Sequence, residues 1–162
     1  FISNNIGTQI TSLDLEYTEE QVIKEDFDLA NDKENDLFLT KSRVPDIDRA
    51  IAKMADHYGC SVELIKNNSM LLDISERKCT YDLIFIDGGH TTELIENDTN
   101  LALKMVTNSG CIVWHDYGSK VHKDVNHYLE RISHERELFW IGSTSLVFHT
   151  ANKTLLDRMF RR

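Results

Sequence analysis

The stretch that decides the fold is YDLIFIDGGH, residues 81–90. Residues 83–86 form an apolar run without polar alternation, which is typical of a buried strand covered on both faces. Asp87 ends this run, and Gly88-Gly89 allows a tight turn or a close approach to a ligand. Ligands of open α/β sheets bind beyond the carboxyl ends of the strands, so Asp87 and His90 are candidate functional residues. The structural alternative is that Asp87 caps the next helix and His90 is solvated.

Strands and helices are predicted to alternate outward from this stretch. Residues 16–35 are acidic and predict a solvated connection, and Pro45 can open the helix that follows it. The patterns predict strands over 7–15, 61–65, 111–114, 138–141 and 145–148, helices over 46–58, 92–106, 121–133 and 154–160, a short helix or turn over 70–76, and a turn at 107–110. This order predicts an α/β fold in one domain, residues 1–162. Its doubly wound, mostly parallel sheet carries helices on both faces and ends in an antiparallel hairpin.

Charge and cysteine content limit the possible partners and the compartment. The formal net charge of −9 argues against a nucleic-acid partner, because a phosphate backbone would be repelled. The three cysteines are widely spaced and form no CxxC pair, which suits a reducing cytoplasm and predicts no zinc knuckle. No apolar run is long enough to cross a bilayer. We therefore predict a cytoplasmic protein with a small-molecule partner and without a nucleic-acid or membrane partner.

Polar groups at the ends of the two earlier strands suit a nucleoside. Asp14 lies at or near the end of its strand, where a carboxylate can accept two hydrogen bonds from a ribose diol. Asn68 and Ser69 follow the next strand and can contact an adenine edge. The structural alternatives are a capping acid for Asp14 and an ordinary turn for Asn68-Ser69.

The two later strands end in groups that suit a cation. Asp87 and Asp116 follow neighbouring strands and can share a divalent ion, since hard cations prefer carboxylate oxygens. His90 or His115 can act as a base or as a further ligand. All four strand ends should lie on one edge of a parallel sheet. The remaining histidines are predicted to lie on the surfaces of helices or strands: His57, His122, His127, His134 and His149.

The stretch 81–90, a following helix and TNSGCIVWHDYG at 107–118 resemble class I S-adenosylmethionine-dependent methyltransferases. The resemblance is strongest to methyltransferase family 24. Those chains typically show a strand ending Ile-Asp-Gly-x-His, a helix, a Pro-Gly-Gly-like turn and a strand ending His-Asp. The likeness extends from Gly7 to about Thr150, and GSTSLVFH at 142–149 resembles the family's last hairpin. The expected architecture is therefore a Rossmann-like methyltransferase fold.

The resemblance implies a role for each residue at the nucleoside end. Asp14 would bind the ribose hydroxyls of S-adenosylmethionine. Asn68 stands where relatives usually have Asp and, with Ser69, would contact the adenine. Asp87 would lie near the methionine part of the cofactor or near a metal.

The resemblance also implies the chemistry of the acceptor end. His115 and Asp116 would face the acceptor, and Asp116 would join Asp87 in holding Mg²⁺, by analogy with the catechol-type methyltransferases. His90 and His115 are the candidate catalytic bases. The implied activity is methyl transfer to an oxygen or nitrogen of a small molecule.

One departure from the family concerns its first strand and glycine-rich loop. No GxGxG-like stretch occurs in this sequence, and in relatives both features would precede Phe1. We therefore expect an N-terminally incomplete domain that binds S-adenosylmethionine weakly or not at all, as a calorimetric titration would show. An incomplete sheet would also expose edges that favour homo-oligomers. The alternative function is a degenerate, non-catalytic binding or assembly module. The strand pair ending IDGGH and WHDY does not suit a nicotinamide-dependent oxidoreductase.

Overall fold

The computed structural model describes residues 8–15 and 47–160. The chain divides into two units between Leu71 and Leu72. The elements are β1 Gln9–Asp14, α1 Ile47–Tyr58, β2 Ser61–Lys66, a 3₁₀ turn Ser69–Leu71, β3 Tyr81–Ile86, α2 Thr92–Met105, β4 Val106–Trp114, α3 Lys123–Ile132, β5 Phe139–Trp140, β6 Val147–Thr150 and α4 Lys153–Phe160. Between residues 47 and 160, no helix is long and apolar enough to cross a membrane.

The first unit contains a two-stranded parallel sheet and α1. Strands β1 and β2 pair from Gln9 opposite Ser61 to Asp14 opposite Lys66. Helix α1 ends where Gly59 takes a left-handed φ of +68°, a conformation that glycine adopts without steric cost. The predicted end of this helix at Gly59 is therefore confirmed. The predictions for residues 16–35 and for Pro45 fall outside the described residues.

The second unit contains a mixed four-stranded sheet in the order β3-β4-β6-β5. Strands β3 and β4 are parallel, whereas β6 runs antiparallel to both β4 and β5. The predicted C-terminal hairpin is confirmed. The α/β class is also confirmed, but a doubly wound, mostly parallel sheet is not, because the described strands form two sheets and the larger is mixed.

Strand β3 lies at an edge of its sheet and buries one face. Ile84 and Ile86 pack against the core of the second unit, whereas Leu83 and Phe85 are 41% and 52% exposed. Successive side chains of a strand point to opposite faces, so the exposed pair belongs to the second face. Within the described residues, the prediction that this strand is covered on both faces is therefore wrong.

The turn predicted at 107–110 is also wrong, because these residues lie inside β4. Tyr81 lies opposite Val106, but Leu83 lies opposite Cys111, so β4 carries extra residues between the two pairs. Such a bulge interrupts the ladder without ending the strand. The carbonyl of Asp82 lies close enough to Gly110 that a Cβ there would be 2.9 Å from it.

Helix boundaries near the strand ends differ by a few residues from those predicted. Helix α3 begins at Lys123 instead of residue 121, because the Ser119 hydroxyl accepts hydrogen bonds from the N–H groups of Val121 and His122 in the preceding turn. The segment 70–76 contributes only the 3₁₀ turn that begins at Ser69.

The core of the second unit lies between β4 and helices α2 and α3. Ile112, Trp114 and Leu129 are almost completely buried there. The Trp114 Nε1–H donates a hydrogen bond of 2.9 Å to the buried hydroxyl of Thr99. Burial raises the pKa of Tyr128, which is also hydrogen-bonded to Thr99. This network satisfies the polar atoms of the core and holds β4 against α2.

Candidate functional site

The parallel pairing of β3 and β4 places their carboxyl ends side by side. Ile86 lies opposite Trp114, and the N–H of His115 donates a 3.0 Å hydrogen bond to the Ile86 carbonyl. Asp87 leaves β3 at the same level at which His115 and Asp116 leave β4. The structure therefore brings together the three strand-end residues that the sequence places on neighbouring strands.

Three side-chain atoms converge at this edge. Nδ1 of His115 lies 3.1 Å from Oδ1 of Asp87 and 3.2 Å from Oδ1 of Asp116. This nitrogen is buried, yet neither contact has the alignment of a hydrogen bond. Two carboxylate oxygens and an imidazole nitrogen that face a common point form a donor set suited to a divalent cation.

The other ring nitrogen of His115 has a partner of its own. Nε2 lies 2.9 Å from the hydroxyl oxygen of Ser145. If Nε2 carries the hydrogen and donates it to Ser145, the Nδ1 lone pair faces the two carboxylates. Histidines that bind metals usually donate their second N–H in this way, which fixes the ring orientation.

Asp116 uses its second oxygen for His90. Oδ2 lies 2.9 Å from Nε2 of His90, whose side chain is only 11% exposed. The alternative of a solvated His90 is therefore wrong. Asp116 has a φ of +63°, a left-handed conformation that is uncommon outside glycine and more frequent for Asp and Asn than for most other residues. The two oxygens of Asp116 thus face two different histidines.

His122 and Ser145 belong to the same cluster, although the sequence did not indicate either of them. The ring of His122 stacks on that of His90, with centroids 3.7 Å apart and planes inclined by 21°. His122 is half-buried at the N-terminus of α3, where its ring packs against that of His90. His122 precedes a helix, and Ser145 lies in the closing hairpin segment 142–149, to which the sequence assigned no functional role.

The nucleoside candidates lie together in the first unit. The N–H of Asn67 donates to the Asp14 carbonyl at 2.9 Å, so Asn68 and Ser69 follow β2 beside the end of β1. The Asn68 side chain accepts a hydrogen bond from the N–H of Met70 and so closes a turn. The two strand-end edges belong to different units, and the prediction that they surround one small molecule stays a prediction.

The Asp14 carboxylate has a charged neighbour. Nζ of Lys66 lies 3.2 Å from Oδ2 of Asp14. A carboxylate that is to accept a ribose diol needs its oxygens for the hydroxyls. This ion pair therefore competes with the role that the resemblance implies for Asp14.

An open cavity of about 940 Å³ adjoins the acceptor end of the second unit. It is bordered by Asp116 and Ser145 of the cluster, by Tyr117 and Trp140, and by one face of α3. Its position beside Asp116 makes it a candidate binding site for a small molecule.

Comparison with known proteins identifies the family. A family model described as a methyltransferase domain, that of methyltransferase family 24, matches residues 3–117. No curated protein matches the sequence. The matched residues include β1 to β4 and the seven site residues predicted from the sequence, but not His122 or Ser145, and they make up more than half of the 162 residues. The chain therefore belongs to the class I S-adenosylmethionine-dependent methyltransferases, within methyltransferase family 24.

Proposed function

We propose that this chain transfers a methyl group from S-adenosylmethionine to an oxygen or nitrogen of a small molecule, with a divalent cation at the acceptor end. The family supplies the general activity and the methyl donor. The observation that supports the cation is the convergence of His115 Nδ1 with carboxylate oxygens of Asp87 and Asp116. Mg²⁺ suits the two carboxylates, and the nitrogen donor also suits Mn²⁺.

The chemistry requires a methyl donor, a nucleophile and an acceptor for a proton. When bound, the cofactor supplies a sulfonium methyl group: the acceptor lone pair forms the new bond to carbon, and the carbon–sulfur pair returns to sulfur. Asp87, His115 and Asp116 would hold the cation, which lowers the pKa of a bound hydroxyl. His90, held by Asp116, would take the acceptor proton. Asp14, Asn68 and Ser69 are the proposed contacts of the nucleoside.

The compartment and partners are part of the same proposal. The cysteines at 60, 79 and 111 are free thiols, which supports a cytoplasmic location. The net charge of −9 supports a small-molecule acceptor over a nucleic acid or an anionic membrane surface. Association between copies stays a prediction.

The cation is tested with Mn²⁺, whose free form gives an electron paramagnetic resonance signal that disappears on binding. We expect one saturable site that Asp87→Asn or Asp116→Asn weakens by at least about tenfold, since each removes an anionic ligand. Asp157→Asn, an exposed carboxylate on α4, is the matched control and should bind as the wild type does. Equal affinity in Asp87→Asn and Asp157→Asn would remove the cation from the proposal.

Cofactor binding is tested by saturation-transfer NMR, which also detects weak ligands. We expect transfer to the adenine and ribose protons of S-adenosylmethionine, with the ribose signal reduced in Asp14→Asn. Production of S-adenosylhomocysteine from mixed alcohols, phenols and amines, measured by mass spectrometry, then tests transfer itself. If the cofactor binds but no S-adenosylhomocysteine forms, the enzymatic proposal is contradicted.

A second candidate is the non-catalytic binding or assembly module. The Lys66–Asp14 ion pair favours it, because it engages the carboxylate that would bind ribose. Lys66→Met distinguishes the two functions, because it removes the ion pair with Asp14 and keeps an unbranched side chain of similar length. A methyltransferase should then bind the cofactor more tightly, whereas a module should show no cofactor signal in either form.

A further inference from the structure

Trp140 presents an indole face that is both exposed and held in place. It lies on the edge strand β5 and is 60% exposed. Its Nε1–H donates a 2.8 Å hydrogen bond to the carbonyl of Thr144, which restrains the ring. An exposed tryptophan leaves a large apolar surface in water, at a cost in free energy. Because the ring borders the cavity, a ligand there would gain a fixed surface on which to stack.

The turn that holds Trp140 also reaches the catalytic cluster. Thr144 accepts the indole hydrogen bond, and the next residue, Ser145, contacts Nε2 of His115 at 2.9 Å. The Ser145 carbonyl also accepts a 3.0 Å hydrogen bond from the N–H of Tyr117, which follows Asp116. A ligand stacked on Trp140 would therefore lie in a cavity continuous with the cluster.

Several polar groups around the cavity already have partners within the protein. The Asn126 side chain accepts from the N–H of Gly118 at 2.6 Å and donates to the carbonyl of Ser119 at 2.9 Å. The Thr144 hydroxyl donates at 2.6 Å and accepts at 3.1 Å within its own turn. These groups therefore have little capacity left for further hydrogen bonds to a ligand.

The polar side chains that remain lie on one face of α3. Lys123, His127 and Glu130 are spaced by four and three residues, so they share a face, and all three border the cavity. Their side chains make no hydrogen bond or ion pair in the part of the chain that the structure describes. They can therefore receive a polar substituent of a ligand whose ring occupies the Trp140 face.

We propose that the methyl acceptor is a hydroxylated aromatic compound whose ring stacks on Trp140. Its hydroxyl points toward Asp116, and a polar substituent meets the exposed face of α3. The methylation of that hydroxyl rests on the proposed function, whereas binding of the ring does not. The proposal can therefore be tested without cofactor or metal.

The test is an NMR titration of the 162-residue chain with phenol and with cyclohexanol, which has the same number of heavy atoms but no aromatic ring. The chain has two tryptophans, and Trp114 is only 1% exposed, so its indole N–H signal serves as an internal reference. We expect phenol to shift the Trp140 indole signal saturably and to leave the Trp114 signal in place. Equal shifts with cyclohexanol would overturn the proposal.

Variants separate stacking from other effects. Trp140→Ala should weaken phenol binding by about tenfold, and Trp140→Phe should retain most of it, because a second ring can still stack. Tyr58→Ala, a partly exposed ring in the first unit, is the control and should leave binding unchanged. Amide spectra verify the fold of each variant.

Three further outcomes of the titration and the transfer assay also test the proposal. Unchanged phenol affinity in Trp140→Ala would overturn it. A Trp140 signal that shifts with protein concentration alone would assign the face to self-association and overturn it as well. Phenol binding at Trp140 without formation of S-adenosylhomocysteine would leave the ring site supported and contradict only the methyl transfer.

Discussion

A single residue, Asp116, connects the two histidines of the cluster. One carboxylate oxygen faces His115 and the other faces His90, so neither histidine shares its oxygen with the other. The left-handed backbone at Asp116 makes this possible by turning the chain sharply at the end of β4. Asn is the replacement that best keeps this conformation while removing the charge, and the metal test therefore uses it.

The buried hydroxyl of Thr99 should make a measurable contribution to stability. It accepts the indole hydrogen of Trp114 and is hydrogen-bonded to Tyr128, so Thr99→Val leaves both partners unsatisfied at nearly unchanged volume. We expect a loss of about 1–3 kcal/mol in the free energy of unfolding, measured by urea denaturation.

The matched control for this prediction is Thr154→Val on α4, where the threonine is exposed. Its effect should remain within about 0.5 kcal/mol. If both variants lose the same stability, the buried network has no special role.

The sequence predicted some site residues better than others, for a physical reason. Asp87, His115 and Asp116 could be predicted because residues that follow adjacent parallel strands must come close together. His122 and Ser145 could not, because their positions depend on the paths of a loop and a turn that have no periodic pattern. Asp14 and Asn68, the proposed nucleoside contacts, lie at adjacent strand ends as the same rule predicted.

Among the secondary-structure elements, β4 departs most from its sequence pattern. Thr107-Asn108-Ser109-Gly110 has the composition of a turn, yet the strand continues through it as a bulge. The composition of residues 107–110 predicts only the backbone conformation that they prefer locally. Whether β4 continues beyond them depends instead on its hydrogen bonds to β3. Helices α1 to α4 were easier to predict, since their apolar periodicity reflects the face that each one packs.

The bulge makes Gly110 intolerant of a side chain. A Cβ at this position would lie 2.6 Å from Cγ2 of Val106 and 2.9 Å from the carbonyl oxygen of Asp82. Gly110→Ala should therefore force the two strands apart and lower the free energy of unfolding by about 1–3 kcal/mol. Thermal and urea denaturation measure this change.

Gly142, in the turn between β5 and β6, provides the comparison. A Cβ there has no atom within 4 Å, and its φ is not left-handed. Gly142→Ala should be neutral or slightly stabilising, because alanine restricts the unfolded chain. A Gly110→Ala variant as stable as Gly142→Ala would contradict the close contact.

For the molecule as a whole, the dominant electrostatic feature is its excess of acids. The chain has 27 acidic residues against 18 Lys and Arg, which gives a net charge of −9. Repulsion among like charges destabilises the compact state, and salt screens it. We therefore expect Tm to rise by roughly 2–4 °C when NaCl increases from about 10 mM to about 150 mM.

The same series in choline chloride separates screening from specific cation binding. Screening predicts equal rises in both salts, since it depends only on ionic strength. A Tm that falls with salt would show that local ion pairs, such as Arg131–Glu96, outweigh the overall repulsion.

The arrangement of Asn126 has a consequence for how this protein could change its selectivity. The side-chain amide of Asn126 on α3 is hydrogen-bonded to Gly118 and Ser119 in the loop that follows β4. The carboxylates of Asp87 and Asp116 instead follow the ends of β3 and β4. The helix that borders the cavity and the strand ends that carry the proposed reactive groups are thus encoded in separate segments. If the cavity binds the acceptor, exchanges at Lys123, His127 and Glu130 that retain Asn126 should change acceptor preference without disturbing Asp87, His115 and Asp116.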